Sequence, residues 1–172
     1  MSRFIATFFY VGLLRPAPGT WGSLAAIPLA WVIHALFGFP TFALATVVLF
    51  FVGWWATANA TRGKDDHDPS EIVIDEVVGQ WIALWPLSIG LWHAGADPWI
   101  FPYPGWVVGF LMFRLFDIWK PGPVGWADRR NDAFGVMFDD VIAGLLAALV
   151  VFFAAAWAHW GEVAREYLHW MF

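Results

Sequence analysis

Apolar residues run in long stretches along this chain, and the polar residues collect in the gaps between them. No charge interrupts residues 41–60, a length that crosses about 30 Å of hydrocarbon as a helix. Residues 141–160 form a second such run, polar only at His159. Residues 24–39 are shorter and contain His34, which predicts a span or half-span. Residues 72–92 span if Asp75 and Glu76 lie near the interface. Residues 99–119 also span, with the helix proper starting near Gly105 because Pro102 and Pro104 precede it. Residues 4–14 are too short to cross and are expected to lie in the interface or re-enter. The pattern predicts an all-α, polytopic membrane helix bundle of about five spans plus that short N-terminal segment. It reads as a single domain, 1–172, with no linker.

Composition agrees with a bilayer as solvent. The 172 residues are 60% hydrophobic and 13% charged, against about 25% charged in soluble domains. A soluble fold of this length has no core large enough to hide so much apolar surface. The net charge of −5 and the lack of a basic run argue against electrostatic attachment to nucleic acid. The absence of cysteine excludes disulfides and thiolate metal sites. The N-terminus shows no signal-peptide cleavage pattern.

Charge placement predicts orientation. Five spans put Arg3, Arg15, Arg62, Lys64, Lys120, Arg129 and Arg130 on one side, with Arg165 opposite. By the positive-inside rule that side is cytoplasmic. The same side collects most carboxylates, from Asp65 to Asp140.

Two of the apolar runs open in similar words, Ile74-Asp75-Glu76-Val77-Val78-Gly79 and Phe138-Asp139-Asp140-Val141-Ile142-Ala143-Gly144. An ionised carboxylate at bilayer depth costs about 2.5–3.5 kcal/mol, so four of them at helix entrances need a cause. Helix capping is one reading, since N-terminal carboxylates accept orphan amides. Capping asks for one acid per helix, however, and grouped carboxylates repel unless a cation intervenes. The other reading is a metal site, and all-oxygen ligands point to Mg2+. Arg114, Asp117 and Lys120 lie at steps of three, broadly along one helix face, before Pro121-Gly122-Pro123 ends the helix. They form either an intrahelical ion pair with a snorkelling lysine or a metal-and-phosphate group. Arg129 belongs to a loop that either carries topogenic charge or touches phosphate. In Pro18-Gly19-Thr20-Trp21-Gly22-Ser23 the glycines admit close approach of backbone amides to an anion. The hydroxyls of Thr20 and Ser23 add donors, and a helix starting at Ser23 points its dipole at that anion. A plain turn and N-cap is the simpler reading. His67, in the polar run ahead of Asp75, is the histidine placed near the carboxylates.

Together these segments, with Phe113-Arg114-Leu115-Phe116-Asp117-Ile118-Trp119-Lys120-Pro121, resemble the phosphatidylglycerophosphatase A family. The likeness extends from residue 18 to residue 144, and the tail after Trp160 lies outside it. The resemblance implies a Mg2+-dependent lipid phosphatase of the bacterial inner membrane, multi-pass, with its active site facing the cytoplasm. It implies phosphatidylglycerophosphate as substrate and phosphatidylglycerol as product. On that basis Glu76, Asp139 and Asp140 are expected to hold Mg2+, with Asp75 or Asp117 completing the shell or orienting water. Lys120, Arg114 and the amides near Gly22 are expected to grip phosphate oxygens, with Thr20, Ser23 and Arg129 as further contacts. His67 or a carboxylic acid is expected to protonate the leaving glycerol oxygen. A phospho-aspartate at Asp75 or Asp139 stays open. The alternative from another class is an ion or solute transporter with an acidic cytoplasmic-side site. It predicts acids spread through the bilayer depth.

Overall fold

The computed structural model describes residues 1–64, 69–100 and 102–171, with side chains as far as residue 158. All regular structure among the described residues is helical. In chain order the helices are α1 (Ser2–Ala6), α2 (Pro18–Ala60), α3 (Ile74–His93), α4 (Gly105–Trp119), α5 (Pro123–Asp128) and α6 (Ala133–Met171). A 3-10 turn, Val11–Leu13, follows α1.

Helix α2 is not one straight rod. Gly38 sits at φ +74° and ψ 178°, a combination essentially confined to glycine, and Pro40 follows with no N–H to continue the ladder. The chain doubles back there. Gly22 in the first arm packs on Val73, Gly53 in the second arm packs on Ile74, and Gly38 packs on Trp92. Both ends of α2 therefore lie at the start of α3, and the bend lies at its far end.

Helix α3 is the centre of the bundle. Its Trp81 Nε1 donates to Ala26 O in the first arm of α2 at 2.9 Å, and Trp85 Nε1 donates to Thr46 Oγ1 in the second at 3.3 Å. His34 Nδ1 and Ser88 Oγ share a buried hydrogen bond of 2.7 Å. On another face, α4 runs antiparallel to α3, with Gly105 against Leu87, Gly109 against Leu84 and Phe113 against Gly79. Helix α6 runs parallel to α3 and crosses it where Gly144 lies on the backbone of Gly79. A Cβ on either glycine would collide with the other helix or with Phe113. Small residues at such a crossing let two helix backbones meet. One end of the bundle thus gathers both ends of α2, the start of α3, the end of α4 and the start of α6.

Among the described residues, two helices, Pro18–Ala60 and Ala133–Ala158, are long and apolar enough to cross a membrane. The expected count of about five spans finds no support on that ground. Helix α4 has 15 residues, or about 22 Å, short of the hydrocarbon thickness. Helix α3 carries Asp75 and Glu76 in its first turn. Apolar side chains cover the outer faces of the qualifying helices: Leu44 is 63% exposed, Phe51 57% and Phe153 66%. The N-terminal segment lies across the α3-start end, where Ala6 O accepts from Val73 N at 2.9 Å and Arg3 Nη2 pairs with Glu71 Oε2 at 3.1 Å.

Candidate active site

Three carboxylates meet where α3 and α6 begin. One oxygen each from Asp75, Glu76 and Asp140 lies within 4.8 Å of the others. Asp75 and Asp140 are buried and Glu76 is half-buried. Glu76 Oε2 is a buried oxygen with no hydrogen-bond partner among the described residues. Capping does not explain the group. Asp75 and Glu76 do occupy the first turn of α3, yet no side chain caps that helix. Asp139 and Asp140 are not at the entrance of α6 at all. That helix starts at Ala133, and Asp132 Oδ1 accepts from Gly135 N at 2.6 Å to hold its first turn. The sequence places the α6 entrance a turn late because Asn131 to Gly135 interrupts the apolar pattern without ending the helix.

The four opening acids then divide. Asp140 faces the α3 carboxylates. Asp139 turns away: its Oδ2 accepts from Lys120 Nζ at 2.9 Å, and its Oδ1 accepts from Asp140 N at 3.0 Å. Lys120 holds the left-handed conformation at the end of α4, with φ +49°, and its ammonium also pairs with Asp128. Burial works against that charge, but Asp128 and Asp139 outweigh it and hold the lysine above its ordinary range. Asp128 belongs to α5, a short helix the sequence pattern does not reveal between the two prolines and Asn131.

Arg114 approaches from α4. Its Nη1 pairs with Asp117 and stands 3.9 Å from Glu76 Oε1. The expected stepwise face of Arg114, Asp117 and Lys120 is present in part: the first two form an ion pair against the cluster, while Lys120 serves Asp139. Arg129 is exposed at the end of α5 and makes no ion pair among the described residues. His67 lies outside the described residues.

The glycine-rich segment differs from expectation in one respect. The helix begins at Pro18, not at Ser23. Ser23 is fully buried, and its hydroxyl donates to Gly19 O at 2.8 Å, so it is tied to its own helix. Pro18 has no N–H, and Trp21 N is the first amide to join the ladder, donating to Ala17 O at 3.2 Å. The amides of Gly19 and Thr20 stay outside it, at the positive end of the α2 dipole. This end abuts the carboxylates. A Cβ at Gly19 would collide with Glu76 Oε1 and come within 3.1 Å of Arg114 Nη1. Gly22 lies against Val73.

One polar residue escapes sequence reading. Gln80 is fully buried one helical turn beyond Glu76, and neither of its amide atoms has a hydrogen-bond partner among the described residues. Its signal is the four-residue step from Glu76 within an apolar run, which puts both on one face of α3.

The arrangement can neutralise and hold an oxyanion. Three clustered carboxylates, one with an orphaned buried oxygen, fit a hard divalent cation, which takes carboxylate oxygens and keeps several waters. A cation among them relieves the repulsion of like charges at short range. Arg114 and the free amides of α2 supply donors beside it. A helical membrane-associated protein with such a group has the parts of a phosphoryl-transfer enzyme.

Comparison with known proteins gives the family. The family model for Phosphatidylglycerophosphatase A matches residues 4–155, and the chain belongs to that family. It is a phosphatase, a phosphoric monoester hydrolase. A phosphatidylglycerophosphatase A of Haemophilus influenzae is 37% identical over 154 residues, covering 89% of this chain and 88% of the relative. One from Escherichia coli is 34% identical over 158 residues, covering 91% and 83%. A protein of Bacteroides thetaiotaomicron, provisionally named a phosphatidylinositol-3-phosphatase, is 36% identical over 151 residues, covering 86% and 89%. No solved structure matches the chain.

Proposed function

We propose that this chain is a Mg2+-dependent lipid phosphatase that removes the terminal phosphate of phosphatidylglycerophosphate to give phosphatidylglycerol. The observation that carries the metal reading is the meeting of Asp75, Glu76 and Asp140 within 4.8 Å, with the orphaned Glu76 Oε2 among them. The names of the relatives support the substrate.

Asp75, Glu76 and Asp140 are the residues that would hold the ion. Bound there, it would supply Lewis-acid neutralisation of the phosphomonoester and a more acidic water nucleophile. The protein's own groups do the rest. Arg114, held by Asp117 and near Glu76, aims a guanidinium at phosphate oxygens. The amides of Gly19 and Thr20 at the start of α2 offer a second set of donors, and the Thr20 hydroxyl a third. Because these donors are fixed before substrate arrives, they stabilise the charge that develops during transfer without reorganising. Asp139 is a positioning residue in this scheme, because it ties Lys120 beside the cluster. His67, Arg129 and Ser23 are candidates of lower rank: the first is outside the described residues, the second stands in solvent and the third is already bonded within α2.

In this reading the bundle lies in the inner membrane with the acidic end toward the cytoplasm, and α3 crosses with its neighbours. The transport reading has no support. The cluster lies at one end of the bundle, beside the helix starts, and not along a path through it.

The test is phosphate release from phosphatidylglycerophosphate in detergent by the purified protein, with Mg2+ and with excess chelator. Release that stops with chelator and returns with Mg2+ supports the proposal. Release unaffected by chelator would sink the metal, and no release by folded protein would sink the substrate.

A further inference from the structure

An apolar groove starts one helical turn from the carboxylates and runs down the side of the bundle. Its first part is a cavity of about 270 Å³ with Phe50 and Phe51 of α2, Val78 and Ile82 of α3, and Phe138 and Val141 of α6 on its walls. Beyond Trp85 a second cavity of about 410 Å³ lies between Ile89 of α3 and Leu145, Ala148 and Phe152 of α6, and the two together make up the groove. Trp85 lines both parts. Its ring is fixed by the hydrogen bond to Thr46 and an edge contact with Phe39 at 6.4 Å.

The sequence builds this groove as two matched stripes. On α3, Asp75, Val78, Ile82, Trp85 and Ile89 follow at steps of three and four, which places them on one face. The carboxylate of Asp75 is the head of that stripe. On α6, Phe138, Val141, Leu145, Ala148 and Phe152 repeat the same steps. From Phe138 to Phe152 the groove is about 21 Å long at 1.5 Å per residue. Half of a bilayer's hydrocarbon core is about 15 Å. The groove therefore reaches from the level of the carboxylates past the end of one leaflet. It opens sideways past Leu145, Leu149 and Phe152, all exposed.

We infer that this groove is an acyl-chain subsite: one fatty-acyl chain of the lipid phosphomonoester lies along α3 and α6 while its phosphate is held at the Asp75, Glu76 and Asp140 cluster. The inference rests on the lipid-phosphatase reading above. It commits to substrate acyl chain as the occupant because the apolar stripe and the carboxylate are continuous on one helix face. A surface that only meets bulk lipid has no need of that continuity.

The experiment compares kcat/KM for phosphatidylglycerophosphate with long acyl chains and with two six-carbon chains, both in detergent. The wild-type protein should prefer the long-chain lipid. Ala148→Trp fills the groove beside Trp85, and it should lower the long-to-short ratio of kcat/KM at least tenfold, chiefly by raising KM for the long-chain lipid. Leu149→Trp, at the exposed rim, is the second variant and should lower the ratio in the same direction by a smaller factor. Leu36→Trp, an exposed residue of the first arm of α2 outside the groove, should leave the ratio where it was. An unchanged ratio in both groove variants overturns the inference, as does equal loss on both substrates or a wild type without chain-length preference. Those results leave the phosphatase reading standing. Failure of the wild type to release phosphate from either lipid overturns that reading instead.

Discussion

Glu76 has less freedom than a carboxylate at a helix start normally has. Gly19 leaves no room for a side-chain carbon beside one of its oxygens, Arg114 stands 3.9 Å away, and its other oxygen is buried with no hydrogen-bond partner among the described residues. Losing its charge should therefore matter more than losing that of Asp139, which is engaged by Lys120. We expect Glu76→Gln and Asp140→Asn each to lower kcat by about 100-fold or more, measured as phosphate release. Isothermal titration should show weaker Mg2+ binding in both. Gly19→Ala adds only one carbon, but that carbon needs the space Glu76 and Arg114 occupy. A displacement on this scale should cost about 10- to 100-fold in kcat, with the helical content unchanged by circular dichroism. Lys120 allows a prediction about pH. Its folded-state pKa is raised, so its ion pairs contribute fully below the unfolded value of 10.5 and are lost only as pH climbs through the higher folded value. The Tm difference between wild type and Lys120→Met should accordingly be the same at pH 7 and pH 9. A difference that shrinks across that interval would contradict the pairing. Much of this site is legible in the residues, because Asp75, Glu76, Arg114, Asp117 and Asp140 stand out as charges in apolar surroundings. The division of labour between Asp139 and Asp140 is not. It depends on which of two neighbours faces α3, and that follows from where α6 starts. Gln80 was missed because an amide carries no charge to draw notice.

At the scale of elements, apolar runs predict helices well because few other structures satisfy the backbone in lipid. What they do not show is whether a break between two runs is a loop or a bend within one helix. Residues 24–39 and 41–60 read as two segments, and they fall on the two arms of α2, with the bend at Gly38 near the end of the first run. The bend is a property of one residue's dihedral angles. It leaves almost no trace in an apolar pattern beyond the Gly-Phe-Pro triplet. Gly38→Ala should destabilise the protein by about 1–3 kcal/mol, since a side chain at that φ and ψ is strained and its Cβ would come 3.1 Å from the Trp92 ring. Unfolding by guanidinium in detergent would measure it, and a change below a few tenths of a kcal/mol would mean the bend relaxes elsewhere. The starts of α2 and α6 differ from the apolar pattern for a related reason. Helices begin where the backbone can turn and be capped, at Pro18 and after Asp132, and not where hydrophobicity begins. The stop of α4 is legible because Pro121-Gly122-Pro123 supplies the reason chemically.

At the scale of the molecule, the position of α3 decides what kind of protein this is. It lies at the centre of the bundle, flanked by both arms of α2 and by α6, the helices that are long and apolar enough to cross a membrane. Its own first turn is acidic, which removes it from that class on composition. If α2 and α6 lie in a bilayer, however, a helix packed along both for its whole length lies at the same depth. Its acids are then tolerable only because they sit at the end, among Arg114 and the amides of α2. Residues 62 and 94, before and after α3, should therefore be on opposite sides of the membrane. The chain contains no cysteine, so single cysteines report cleanly. In spheroplasts, a membrane-impermeant maleimide should label Ala94→Cys and should label Arg62→Cys only after lysis. Labelling of both before lysis would mean that α3 does not cross and that the acidic cluster faces outward or lies at a surface. Labelling of Arg62→Cys alone would invert the bundle and put the carboxylates on the side opposite to the one the basic residues favour. Only the first outcome gives a cytoplasmic lipid phosphate direct access to Asp75, Glu76 and Asp140 from the leaflet in which it lies.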